Sequence, residues 1–289
     1  MRADLRRARV TAKGLVCPLH RWHFNHLGSC DHVPGGAPEE LTSAHCLKVF
    51  PVSERHGRAF LFAGAGAATL PFFEGENPDE FISARAWGLR GNNHWSVASA
   101  NGFDLAHFEY VHQRKPLQIH SADFSQPDRC RLTLSYRIKP STYADRWLVK
   151  RFGDAATLDY QVYHGNLVVA RTRIGAFENR LMSFVRPEGD ERFSAALFVF
   201  TPRSGSLWDL PKNLLAGFGT FRFFTHECEE LRGVTIDPQR LGAHEGLLKD
   251  YFQWLEAHRS QRNPSSAGIG ESQRWQTKAS STPVMTSHT

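Results

Sequence analysis

Asn101-Gly102-Phe103-Asp104-Leu105-Ala106-His107-Phe108-Glu109-Tyr110-Val111-His112 is the stretch that decides how this chain reads. It has the form N-x-x-D-x-x-H-x-x-x-x-H. Two neutral imidazoles and one remote carboxylate can bind one face of a ferrous ion and leave positions open for dioxygen and substrate. The spacing constrains the backbone. Positions five apart on a regular helix lie about 140° from each other, at about 3.6 residues per turn. The helix must therefore bend or end between His107 and His112 for both rings to meet one metal. The zinc-protease pattern H-E-x-x-H, with its spacing of four, is absent.

Downstream of this stretch, Arg131 to Lys139 alternates polar and apolar as a half-buried strand does. Leu158 to Tyr163, Asn166 to Arg173 and Phe193 to Thr201 read as further antiparallel strands. Helical character is expected for Trp95 to Val111, for Leu210 to Leu231 and for Leu241 to Arg259. The last carries Leu247, Leu248, Tyr251, Phe252 and Leu255 at helical spacing. Upstream, residues 1–62 read as short strands and loops, with Arg58 to Ala63 a buried strand. A linker with a domain boundary is expected within 64–80. Residues 260–289 lack apolar periodicity and are expected to be disordered.

The iron stretch resembles the Rieske-type non-haem iron oxygenases, the ring-hydroxylating and O-demethylating family. The resemblance implies that His107 and His112 are iron ligands and that Asn101 belongs to the same site. It implies that Asp104 links the iron to the Rieske cluster of a neighbouring subunit, in a homotrimer. The third ligand is expected to be a carboxylate on a late helix. Asp250 is the first choice, because it sits at the edge of the apolar stripe of the helix 241–259, where a carboxylate needs a partner. Asp237 and Glu245 are its rivals.

A second segment, Cys17-Pro18-Leu19-His20-Arg21-Trp22, resembles the later ligand loop of the same family's Rieske domain. A Rieske [2Fe-2S] centre takes two Cys on one iron and two His on the other. Cys17 and His20 match the C-x-x-H pair, with Arg21 where the family usually has Gly. The earlier C-x-H pair would fall before Met1, so the expected domain is clipped. Cys30-Asp31-His32 has the C-x-H form but follows Cys17 too soon. His45 and Cys46 are expected to be structural, and Cys130 and Cys228 ordinary buried thiols. Val49 to Val52 and Glu54 to Gly57 resemble the domain's closing strands.

Composition agrees without deciding. The chain has 289 residues, a net charge of +6 and five widely spaced Cys. Without a leader or a long apolar run, a cytoplasmic location is expected and a disulfide framework is not. The dispersed positive charge argues weakly for nucleic acid and suits an acidic redox partner. Neither nucleic acid nor membrane is an expected partner.

The expected fold class is α+β. A partial all-β Rieske domain (1–75) precedes a helix-grip-like catalytic domain (76–259) with an antiparallel sheet around a long helix. The resemblance implies mononuclear Fe(II) and a [2Fe-2S] cluster as cofactors. Its expected partners are a reductase, with or without a ferredoxin, dioxygen, and an apolar substrate of aromatic or steroid-like type. The alternative is an inactive ligand-binding protein that lacks a complete cluster.

Overall fold

A computed structural model describes residues 3–36, 47–62 and 70–258. The expected disordered tail and the residues His45 and Cys46 lie outside them. The chain divides into two compact units, Met1–Leu70 and Pro71–Thr289.

Apart from a 3-10 turn at Leu5–Arg7, the first unit is all-β among its described residues. Four short strands, β1 (Arg9–Thr11), β2 (Gly14–Val16), β3 (His23–Phe24) and β4 (Cys30–His32), form an antiparallel sheet in sequence order. Cys17, Phe24 and Cys30 form its small buried core, flanked by Leu5, Leu15, Trp22, Val33 and Leu47. A separate hairpin pairs β5 (Val52–Arg55) with β6 (Arg58–Leu61). Strand β6 was expected to be buried, but its residues alternate between half-buried and exposed.

The second unit is built on one eight-stranded antiparallel sheet. Its strands are β7 (Phe81–Ile82), β8 (Ala86–Gly91), β9 (Arg114–Asp123), β10 (Arg129–Ile138), β11 (Ala155–Tyr163), β12 (Leu167–Ile174), β13 (Phe177–Pro187) and β14 (Phe193–Pro202). From β9 to β14 each strand pairs with the next, and the sheet ends with β7 and β8 both paired to β14. The alternation read at 131–139 produces its stripe: Cys130, Leu132, Leu134, Tyr136 and Ile138 of β10 are all buried. Removing a Leu side chain from water contributes about 2 kcal/mol, so this face fixes the register of the strand.

Among the described residues five α-helices complete the unit: α1 (Trp95–Ala100), α2 (Leu105–Tyr110), α3 (Tyr143–Phe152), α4 (Asp209–Glu230) and α5 (Gly246–Ala257). The expected helix over 95–111 is two short helices joined by a 3-10 turn at Asn101–Phe103. Helix α3, between β10 and β11, was not expected; a Thr142–Asp145 capping box starts it. Helix α4, of 22 residues, is the long helix against the sheet. Asn213 pins it there. Its amide donates to the carbonyls of Ile82 (2.9 Å) and Val199 (3.0 Å), and its Oδ1 accepts from Ala84 N at 2.8 Å. Helix α5 buries Leu248, Tyr251, Phe252 and Trp254 in the core shared with Phe103 and the sheet. From Pro71 on, the segment expected as a linker is tied into this unit, because Glu76 accepts from Arg180 Nε at 2.8 Å and Glu74 pairs with Arg131 at 2.6 Å.

Candidate metal centre

The backbone around the motif does what its spacing demanded. Asp104 caps α2, its Oδ1 accepting from His107 N at 2.9 Å. The helix ends at Tyr110, and Gln113 takes a left-handed φ of 55°. His112 thus lies beyond the helix end and folds back toward His107. The ring centroids are 4.7 Å apart and the two Nε2 atoms 3.0 Å apart.

The third donor is Glu227, in the last turn of α4. Its Oε1 lies 2.7 Å from His107 Nε2, and its Oε2 lies 2.7 Å from His112 Nε2. Among the described residues this is the one group of three or more His, Cys, Asp or Glu donors close enough to share an ion. Asn101 completes the arrangement by donating from Nδ2 to Glu227 Oε1 at 2.8 Å.

Asp250 is not part of the group. At about 100° per residue it stands about 200° from both Leu248 and Phe252, and it is exposed on the outer side of α5. The rivals are engaged in local turns. Asp237 is exposed and caps the 3-10 turn at Pro238–Arg240. Glu245 accepts from Gly242 N at 2.8 Å. Glu227 went unread because it stands in the run His226-Glu227-Cys228-Glu229-Glu230, which looks like a solvated helix end. A usable signal lies upstream: Asn213, Gly217, Thr220, Phe224 and Glu227 recur at helical spacing on one face.

The electrostatics suit a cation. Glu227 is 3 % exposed. Burial alone would raise its carboxyl, but the two imidazoles outweigh this and hold it at about 2. His107 is lowered by burial and raised by Glu227, Asp104 and Glu230, and ends above its ordinary value. The carboxylate is thus ionised, with both oxygens aimed at imidazole nitrogens. Oε2 is buried and has no hydrogen bond of good geometry despite its 2.7 Å approach to His112. Donors bound at right angles about 2.1 Å from a metal would lie about 3.0 Å from one another. The observed separations, and the two-imidazole, one-carboxylate donor set, fit such an ion.

The surroundings divide in two. The Phe223 ring stands 5.0 Å from that of His112 and is partly exposed, an apolar wall beside the donors. Asn101 and Asp104 also line a cavity of about 420 Å³, bounded by Val97, Ile236, Leu241 and Leu248.

The first unit is less complete. Cys17 and His20 occupy the β2–β3 turn, with Cys17 buried and His20 exposed. Cys17 N donates to Trp22 O at 2.8 Å, and Arg21 N to Cys17 O at 3.1 Å. Arg21, at the position where Gly was noted as usual, has φ 59°. Cys30 lies in the unit's core and its Sγ approaches His32 O at 3.7 Å. Among the described residues no third donor joins Cys17 and His20. They do not by themselves hold a [2Fe-2S] centre, which takes two Cys and two His.

Comparison with known proteins follows the same division. Residues 1–51 match the model of the Rieske [2Fe-2S] domain. The chain is 30% identical over 111 residues to a cholesterol 7-desaturase of Bombyx mori, covering 36% of this chain and 23% of that protein. It is 28% identical over 116 residues to a putative toluene-4-sulfonate monooxygenase system iron-sulfur subunit of Comamonas testosteroni, covering 36% and 30%. The aligned region therefore spans less than a third of either relative. In fold, it resembles NdmA of Pseudomonas putida CBB5 solved with caffeine, with a TM-score of 0.62 at 15% identity over 90% of this chain and 79% of that one. Apo dicamba monooxygenase gives 0.60 at 14% over 92% and 84%. No helix among the described residues is long and apolar enough to cross a membrane.

Proposed function

We propose that this chain, which belongs to the Rieske-type non-haem iron oxygenase family, is an oxidoreductase component that holds one ferrous ion on His107, His112 and Glu227 and hydroxylates or demethylates an apolar substrate. The observation that carries the reading is the convergence of two imidazoles and one buried carboxylate within 4.8 Å of each other. A ferrous ion on such a set supplies open positions for dioxygen beside substrate.

The chain's own residues do the rest. Asp104 fixes the start of α2 and so the height of His107. Asn101 holds one oxygen of Glu227. Phe223 places an apolar ring beside His112, which suits an aromatic or steroid-like substrate. The reducing equivalents are a partner's to supply, and a reductase, with or without a ferredoxin, is the class of protein this requires. Asp104, which caps the helix of His107 and lines the neighbouring cavity, is the residue we assign to electron entry from a neighbouring subunit. The intact donor group speaks against an inactive binding protein, which has no use for a desolvated carboxylate between two imidazoles.

Anaerobic titration of metal-free protein with ferrous ion tests the reading. One ion per chain is expected, with the site lost in His107→Ala. Full binding by His107→Ala would overturn the assignment.

A further inference from the structure

His112 is the donor with the least local support. It lies past the end of α2, where the last helical hydrogen bond, Val111 N to His107 O at 2.9 Å, has already been made. The next residue, Gln113, has left-handed φ. Something other than the helix must fix the His112 backbone.

Arg114 does this. Its side chain turns back so that Nη1 donates to His112 O at 2.9 Å, while Nη2 meets Asp145 Oδ1 at 2.5 Å. Both side chains are largely buried, at 15% and 7% exposure. Asp145 is itself held. Its Oδ2 accepts from Ser141 Oγ and Thr142 N, each at 3.3 Å, and its backbone N donates to Thr142 Oγ1 at 3.1 Å. Lys139 N donates to Gln113 O at 2.9 Å and fixes the intervening residue. A continuous path of hydrogen bonds thus runs from the N-terminus of α3 through Asp145 and Arg114 to the carbonyl of His112.

We infer that Arg114, anchored by Asp145, is a positioning residue that sets the direction of His112 at the metal centre. This rests on the metal reading above. The planar guanidinium reaches two acceptors at once, whereas an ammonium is a point donor. Groups that orient a metal ligand typically change metal affinity by about 10–100-fold when lost.

The test is Co(II) titration of metal-free protein, followed by the visible spectrum of the bound ion, alongside thermal unfolding without metal. Wild type is expected to bind one Co(II) per chain. Arg114→Lys is expected to keep its fold yet bind about tenfold more weakly, with a shifted spectrum. Wild-type affinity and spectrum in Arg114→Lys would overturn the inference while leaving the metal centre standing. A changed unfolding temperature with unchanged affinity would overturn it too, since it would show a structural role alone. Should Arg114→Lys fail to fold, Asp145→Asn is read in its place with the same expectation. Absence of Co(II) binding by wild type would overturn the metal reading itself, and the inference with it.

Discussion

Asn101 and Glu227, 126 residues apart, meet through a 2.8 Å hydrogen bond from the amide of one to the carboxylate of the other. Asn101 sits in the 3-10 turn between α1 and α2, and Glu227 in the last turn of α4. The bond joins the helix pair that carries the imidazoles to the helix that carries the carboxylate. It also gives the first residue of the sequence motif a physical task.

Asp104 has two separable roles, and two substitutions separate them. Its Oδ1 caps α2 at His107 N. Asn at this position can make the same cap, whereas Ala costs about 1 kcal/mol of stability. Asp104→Asn is expected to melt close to wild type and to retain the metal, yet to lose turnover. Unchanged turnover would remove the Asp104 carboxylate from the reaction.

Gly102 is required by a close approach. A Cβ there would lie 2.5 Å from the ring of Tyr160. Tyr160 cannot yield easily, because its hydroxyl donates to Ser99 O at 3.0 Å and its ring packs edge-on to Phe103. Gly102→Ala is expected to lower stability by about 1–3 kcal/mol, the usual cost of overpacking, measured by urea unfolding. A change below about 0.5 kcal/mol would show that the ring moves freely.

Asn213 is the equivalent test for α4. Asn213→Ala would strand the Ala84 amide and weaken the hold on the Ile82 and Val199 carbonyls. A loss of about 2–3 kcal/mol is expected, together with weaker metal binding as Glu227 loses its platform. Destabilisation without any effect on the metal would show that the far end of α4 is held independently.

Arg21 pays for a backbone that suits Gly. An L-residue in the left-handed region costs roughly 1–2 kcal/mol, partly offset by the greater freedom of Gly in the unfolded chain. Arg21→Gly is expected to stabilise the Cys17–Trp22 turn by about 1 kcal/mol. Amide exchange at Cys17 N, which is bonded to Trp22 O, should slow about fivefold. Equal or faster exchange would mean that the Arg21 side chain contributes a compensating contact.

The legible parts were those written in local pattern. The alternation of β10, the break between His107 and His112, and the long helix over 209–230 follow from periodicity and donor spacing. Helix α3 was not legible, because its outer face carries Tyr143 and Trp147 in the open, and the one residue it buries well is Asp145. The third donor failed for a related reason. Asp250 stands in an apolar stretch and Glu227 in the acidic last turn of α4, so local contrast favoured the residue that the structure leaves outside the donor group. Burial of Glu227 is decided by which face of α4 meets Asn101 and the His pair, residues far away in the sequence. At the Cys17–His20 turn the sequence shows Arg21 where Gly is usual, and the left-handed φ of 59° at that residue is visible only in the structure.

Ferrous-ion binding by Glu227→Ala and Asp250→Ala, compared side by side by anaerobic equilibrium dialysis, tests the central claim most directly. The geometry predicts that Glu227→Ala loses the ion while Asp250→Ala binds one per chain with wild-type affinity. Retention by Glu227→Ala, or loss by Asp250→Ala, would contradict it.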